Sequence, residues 1–528
     1  MESYDVIVIG AGHNGLVAAA YLARAGRKVL LLERRDLIGG AAATEEIYPG
    51  FRFSTCADVC RGFYPKVVTD LELEKWGLRF IPLAPALSVP LGGGDWLSLW
   101  RDGEKTKREI ERLSRADADS YGEFSAFVMS ALRFLRALLL RPAPDPKDPT
   151  GSGVRFLVEL GWEYRRLGKS LRGELFRLLP MAVFDLLGEW FKDERLKAAI
   201  GGAALLGNFL APRAQGTALL LLYQHLFSRA GLFEAWSVPQ GGMGSLTGAL
   251  ARAAQSLGVS IETGAKVARI AVKDERASGV VLENGAELRA STVVSAIGVK
   301  PTFLELIDPV HLERDFLLQV RNIRATGISA KVNLALSELP RWEGGRSAEL
   351  AQGIVQIGAS LDDIERAFDD AKYGSYSKKP LLHVFTPSAV DPELAPAGKH
   401  VASVLVQYAP YQLKNADWGE KRAELMKLVI ENVAEHAPNF KGAILDSQVL
   451  TPRDLEETYG LPGGHYHHAE MALDQLLFMR PLARWAKYRT PLEGLYLCGA
   501  GTHPGGGVTG IPGYLAAQEI IKEWRRTK

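Results

Sequence analysis

A chain of 528 residues is longer than one ordinary hydrophobic core, and its composition, 47% hydrophobic and 23% charged, excludes global disorder. Lys plus Arg number 63 against 61 for Asp plus Glu, so the balance of +2 gives no electrostatic reason for a nucleic-acid partner. Three cysteines, Cys56, Cys60 and Cys498, are too few for a disulfide scaffold and suit a reducing compartment.

The chain opens with MESYDVIVIG, whose acidic start and short apolar run lack the form of a signal peptide. No stretch reaches the roughly 18 uninterrupted apolar residues of a membrane span. The nearest, residues 201–227, is broken by Pro212, Arg213 and Gln215. A cytoplasmic protein, free or resting on a membrane surface, is the expectation.

Residues 5–9, DVIVI, predict a buried parallel strand. Gly10-Ala11-Gly12-His13-Asn14-Gly15 follows, then a stretch of helical composition that closes at Gly26, then a second strand, KVLLLE, ending at Glu33. The pattern G-x-G-x-x-G is weak alone, but strand, helix and terminal acid supply the context a dinucleotide requires. Gly10 permits a tight turn, Gly12 admits a pyrophosphate to the backbone, and Gly15 lets helix and strand pack closely. The helix N-terminus offers free N–H groups to phosphate. Glu33 is placed to accept hydrogen bonds from ribose hydroxyls and to repel a 2′-phosphate.

Further along, residues 121–235 read as helix-rich and apolar, with a loop at 141–153. In SALRFLRALLLR, Arg133, Arg136 and Arg141 flank Leu132, Phe134, Leu135 and 138–140. That pattern suits a helix lying in a bilayer interface, capping a buried core or forming a contact between copies of the chain. Residues 265–288 predict strands around polar turns, and 291–298 another buried strand. Residues 328–411 alternate, as in KVNLALS and HVASVLVQY, and predict a sheet with one covered face. Residues 417–437 predict a helix stopping before Pro438. GLYLC predicts a last strand, and GAGTHPGGGVTGIPG at 499–513 leads from it into a helix.

With the glycine pair Gly39-Gly40 beyond Glu33, the chain resembles flavoproteins of the glutathione-reductase and amine-oxidase type. More closely still, it resembles the carotenoid (phytoene) desaturase-like FAD oxidoreductases. That superfamily includes carotenoid ketolases of the same fold and the proteins named for a pyridine nucleotide-disulphide oxidoreductase domain. The likeness spans nearly the whole chain. It is carried by residues 4–26, by PQGGMGSLTGAL at 239–250, by GHYHHAEMALDQLLFMRP at 464–481 and by LYLCGAGTHPGGGVTGIPGYLAA at 495–517. The last two are the more specific.

The resemblance implies an α/β fold, with a Rossmann-like FAD-binding domain of glutathione-reductase/amine-oxidase type assembled from residues 1–75, 236–305 and 482–528. A discontinuous α+β substrate domain takes 76–235 and 306–481. FAD is the implied cofactor, held by Gly10, Gly12, Asn14, Gly15, Glu33, Arg34, Gly40 and Ala41, with the Val267 backbone at the adenine end. Gly499 and Ala500 would pass the ribitol and phosphate. Gly507, Val508 and Thr509 would bring backbone N–H groups to the pyrimidine edge of the flavin. No metal is implied.

The implied activity is phytoene desaturase-like: removal of a hydride from a large apolar substrate, isoprenoid or carotenoid, to flavin N5. His465, His467 and His503 are the candidate acid–base residues, with structural hydrogen bonding as their other reading. Cys56 and Cys60 stand closer together than the redox pair of disulphide reductases and read as unpaired thiols. GGMGSLTG has the wrong pattern for a nicotinamide site, so oxygen, a quinone or another acceptor is expected to reoxidise the flavin. Two other functions stand beside this one: amine-oxidase-like chemistry on a smaller polar substrate, and a flavin-bound regulatory or structural protein with little turnover. The expected partners are an apolar small molecule, a membrane surface met through 121–235, and a second copy of the chain.

Overall fold

The run DVIVI forms the strand Ser3–Ile9, which lies inside a seven-stranded sheet of this computed structural model. The structure describes residues 3–143, 151–358 and 360–526. Val6 and Val8 enter one apolar cluster while Ile7 and Ile9 enter another on the opposite face. The run is apolar throughout because both faces of the sheet are covered.

Val29–Leu32 pairs with this strand in parallel on one side and Glu287–Ser295 on the other. Ser260–Glu262 extends the sheet past Val29–Leu32, again in parallel. The end of Glu287–Ser295 pairs in parallel with Leu495–Leu497, and its beginning pairs antiparallel with Arg276–Leu282, which is followed by Val267–Lys273. The start, middle and end of the chain therefore share one sheet. That sharing places the glycine segment after Leu497 near the one after Ile9. The helix Ile511–Arg526 then packs on His13–Arg24 so closely that a Cβ on Gly513 would stand 2.2 Å from the Asn14 carbonyl oxygen.

A second seven-stranded sheet runs in the order Ile444–Leu450, Ser329–Leu336, His400–Gln407, Leu381–Phe385, Ile354–Ile357, Leu87–Gly92, Asp95–Leu99. Its pairs are antiparallel except the one joining Ile354–Ile357 to Leu87–Gly92. Here the structure differs from the expectation of one covered face, because every residue of Ser329–Leu336 is buried. Ala330, Val332 and Leu334 pack with the helix Trp418–Ala434. Ser329, Lys331 and Asn333 alternate with them and find polar partners: Ser329 donates to Gln407 Oε1 at 2.5 Å, and Asn333 to Gln448 Oε1 at 3.0 Å. The alternation marks a buried polar face, not a wet one.

The helix Arg115–Leu139 is capped by Ser114, whose hydroxyl accepts the Asp117 N–H. Leu132, Phe134, Leu135, Leu138 and Leu139 are buried inside the protein, so this helix turns no apolar face outward. The outward face belongs to the next two helices, Gly151–Arg166 and Lys169–Leu178, where Leu157, Trp162 and Phe176 are 64%, 61% and 68% exposed. The loop expected at 141–153 falls mostly on 144–150, outside the described residues, and helix has begun by Gly151. Among the described residues no helix is long and apolar enough to cross a membrane.

Candidate functional site

The chain leaves Ser3–Ile9 through Gly10, whose φ of +98° lies in the region that glycine tolerates best. A Cβ on Gly15 would fall 2.0 Å from the Gly10 carbonyl oxygen, so strand and helix meet at a distance only glycine allows. A Cβ on Gly12 would meet nothing within 4 Å, and Gly12 borders a cavity of about 440 Å³. No side chain caps the helix that starts at His13, which leaves its first N–H groups for a ligand.

Glu33, only 7% exposed, stands on the same cavity wall. Its Oε2 accepts the Ala11 N–H at 2.9 Å and its Oε1 the Arg35 N–H at 3.0 Å, which fixes the carboxylate and leaves lone pairs for a further donor. Gly39 donates its N–H to the Ala11 carbonyl at 2.9 Å, drawing the second glycine pair beside the first turn.

Gly10, Gly12, Asn14, Gly15, Glu33, Arg34, Gly40, Ala41, Val267, Ala500, Gly507, Val508 and Thr509 all border the cavity. Gly499 lies behind it, where a Cβ would stand 2.6 Å from the Ala296 carbonyl oxygen, so this glycine lets two strand exits cross. The Arg34 guanidinium is engaged sideways, donating to the carbonyls of Glu457 at 2.8 Å and Thr458 at 3.0 Å. The glycine-dense segment is tied down from several sides. Gly506 presses on His467, where a Cβ would approach to 2.5 Å. The Tyr64 N–H donates to the Thr509 carbonyl, the Cys60 thiol to that of Val508, and the Tyr223 hydroxyl to that of Gly506.

Of the three candidate acid–base histidines, His467 alone borders the cavity. It shares a hydrogen bond with the Leu206 carbonyl through Nε2 at 3.2 Å, and burial lowers its pKa to about 3, leaving a neutral ring with an unpartnered Nδ1. His465 and His503 are fully buried behind the wall. His465 Nδ1 accepts the His467 N–H at 3.1 Å, and burial lowers His503 to about 4. At these values His467 and His503 accept protons poorly at neutral pH. His13 and His468 also border the cavity, and burial lowers them to about 4 and about 3.

Sequence reasoning misses one part of the wall. Asp58 and Arg61 border the cavity there, and Lys331, whose side chain is fully buried, reaches across from the polar face of the second sheet to pair with Asp58. The partners lie 273 residues apart, so no local pattern links them. A lone cation inside the apolar run AKVNLAL is the one signal that could have flagged Lys331. Arg480, 1% exposed, donates to the carbonyls of His467, Ala469, Glu470, Gln475 and Ala500, binding both specific motifs into one wall. Cys56 and Cys60 are free and buried; burial pushes the Cys60 thiol up to about 11 and Cys56 higher, so both stay protonated. Among the described residues no cluster of His, Cys, Asp or Glu could hold a metal ion.

These features fit a large dinucleotide with a polar ring. The glycine turn is open, the helix start is uncapped, and His13 Nε2, Arg35 Nη1 and His468 Nδ1 are buried without partners among the described residues. Residues 8–71 match an NAD(P)-binding Rossmann-like domain, and residues 152–521 match the model of the flavin-containing amine oxidoreductases. The chain belongs to that flavin-containing amine oxidoreductase family, and its cofactor is FAD. It is similar to pyridine nucleotide-disulfide oxidoreductase domain-containing protein 2 of Rattus norvegicus, at 37% identity over 98% of this chain and 94% of that one. One of the subunits of limonene dehydrogenase from Castellaniella defragrans is 29% identical over 99% of this chain and 95% of its own. Among solved structures, a redesigned putrescine oxidase matches with a TM-score of 0.61 at 16% identity, over 100% of this chain and 99% of that one. The last likeness is one of fold.

Proposed function

We propose that the chain is an FAD-dependent dehydrogenase that removes a hydride from a largely apolar, isoprenoid-type substrate. The observation that carries this reading is one cavity whose lining joins the glycines Gly10 and Gly12 to an apolar set, Val59, Leu206, Leu226, Phe227 and Leu405. Gly10, Gly12 and the start of the helix His13–Arg24 would hold the pyrophosphate, and Glu33 would hold the ribose. The backbone of Gly507, Val508 and Thr509 would face the pyrimidine edge of the ring. When bound, FAD supplies the hydride acceptor, chemistry that no side chain provides.

The apolar wall aligns the carbon chain of the substrate and excludes water. Desaturation also releases a proton from the neighbouring carbon, and that proton leaves to solvent through the open side of the cavity. The likeness to a relative named for limonene supports the isoprenoid class. Anaerobic titration of the purified yellow protein tests the reading. Isoprenoids should bleach the flavin absorbance and simple amines should leave it intact. Bleaching by amines alone would reverse the assignment, and a flavin that no organic donor reduces would point to a regulatory or structural protein.

We also propose that the exposed face of Gly151–Arg166 and Lys169–Leu178 rests on a membrane surface. Val154, Leu157, Val158 and Trp162 recur at helical spacing there, with Phe176 exposed on the neighbouring helix and Arg165 and Arg166 at the helix end.

A further inference from the structure

Asp58 pairs directly with Lys331, and the guanidinium of Arg61 feels that same carboxylate only at a distance, with no ion pair or hydrogen bond of its own among the described residues. Arg61 borders the cavity, donates no hydrogen bond among the described residues, and keeps its Nε buried without a partner. Its guanidinium carbon lies 4.9 Å from the centre of the Trp236 ring, a contact that holds the group in place without neutralising it. The ring groups that feel its charge, His225, His383 and His467, are all kept neutral by burial. Guanidinium stays protonated in proteins. This wall therefore carries one negative charge, on Asp58, and two positive ones, on Lys331 and Arg61.

An excess positive charge on the wall of a partly enclosed cavity disfavours a cationic ligand and leaves a pure hydrocarbon unable to satisfy it. A bidentate acceptor suits it best. The phenol of Tyr466 borders the same cavity, and its hydroxyl is also buried without a partner among the described residues, which offers a second donor.

We propose that the substrate is an apolar carboxylate: its head is received by Arg61, with Tyr466 as second donor, and its carbon tail lies along Val59, Leu206, Leu226, Phe227 and Leu405. This inference rests on the dehydrogenase reading above and narrows its substrate class. Arg61 is then a specificity residue that touches the part of the substrate that does not react.

Equilibrium titration of the oxidised, FAD-loaded protein with decanoate, 1-decanol and decylamine tests it, read by perturbation of the flavin spectrum and by calorimetry. Decanoate should bind at least tenfold more tightly than decanol, and decylamine least. Arg61→Gln should lose that preference, Arg61→Lys should keep part of it, and both should retain flavin. Equal affinities for decanoate and decanol in the native protein overturn the inference. So does an Arg61→Gln protein that binds decanoate normally while its ligand-free flavin shifts in reduction potential, because the guanidinium then serves the cofactor. A purified chain without flavin overturns instead the dehydrogenase reading beneath it.

Discussion

At Gly12 the absence of a side chain keeps the cavity open, because a Cβ there points at empty space while the backbone already forms the wall. Gly12→Val should fold, since nothing lies within 4 Å of the new Cβ, yet emerge without bound flavin. The ratio of flavin to protein absorbance checks this, and a normally yellow variant would refute the placement. The buried histidines supply a second residue-scale test. His13, His225, His467, His468 and His503 have pKa values lowered by burial to about 3 or 4, against an ordinary value near 6.5. Below about pH 6.5 the unfolded chain binds protons that the folded chain refuses, and each such group costs up to ~1.4 kcal/mol per pH unit until its folded pKa is reached. Stability should therefore be full above pH ~7 and fall steadily toward pH ~4. Urea denaturation at several pH values reads this, and a flat profile would show that these rings are solvated.

At the scale of elements, the strand Ser329–Leu336 shows how a sound pattern can be read onto the wrong environment. Alternation in AKVNLAL correctly predicts a strand, but both faces are buried, and the polar set is held by partners in distant segments. Lys331→Met removes the partner of a largely buried carboxylate and should cost about 3 kcal/mol or more. Adding Asp58→Asn should recover part of that loss, since the stranded charge goes with it. Guanidinium unfolding of the single and double variants measures the coupling, and purely additive losses would mean that the pair is not coupled. The helix Gly151–Arg166 makes the complementary point. The stretch around Arg133 carries the amphipathic pattern, yet its leucines lie inside, and the outward apolar face falls on the following helices. Replacing Leu157 and Trp162 together by serine should weaken cosedimentation with anionic vesicles roughly tenfold or more, with little change in thermal stability, because both side chains are exposed. Undiminished vesicle binding would place the membrane contact elsewhere.

Across the whole molecule, the cavity is lined by pieces that the fold brings together from far apart in the chain. Gly10 and Val508 border one cavity although almost the full chain separates them, and the sheet that unites their strands is built from the start, middle and end of the sequence. Removing FAD should lower the melting temperature, since a ligand bound only by the folded state at 100 times its Kd contributes about 2.7 kcal/mol. Flavin-free protein melting at the same temperature as the loaded form would mean that the halves are held together without it.

The sequence by itself determined the first strand, the glycine turn, the acid that follows and the cofactor they imply. Each of these rests on local rules: φ values that only glycine tolerates well, a run buried on both faces, a helix start left uncapped. Most of the expected cofactor residues border the cavity for the same reason. Tertiary structure alone decided which candidate histidine reaches that cavity, that Lys331 answers Asp58, that Arg61 has no ion-pair partner among the described residues, and which helix turns its apolar face outward. Those outcomes depend on burial and on partners hundreds of residues away, and a side chain's identity does not reveal what the fold will set beside it.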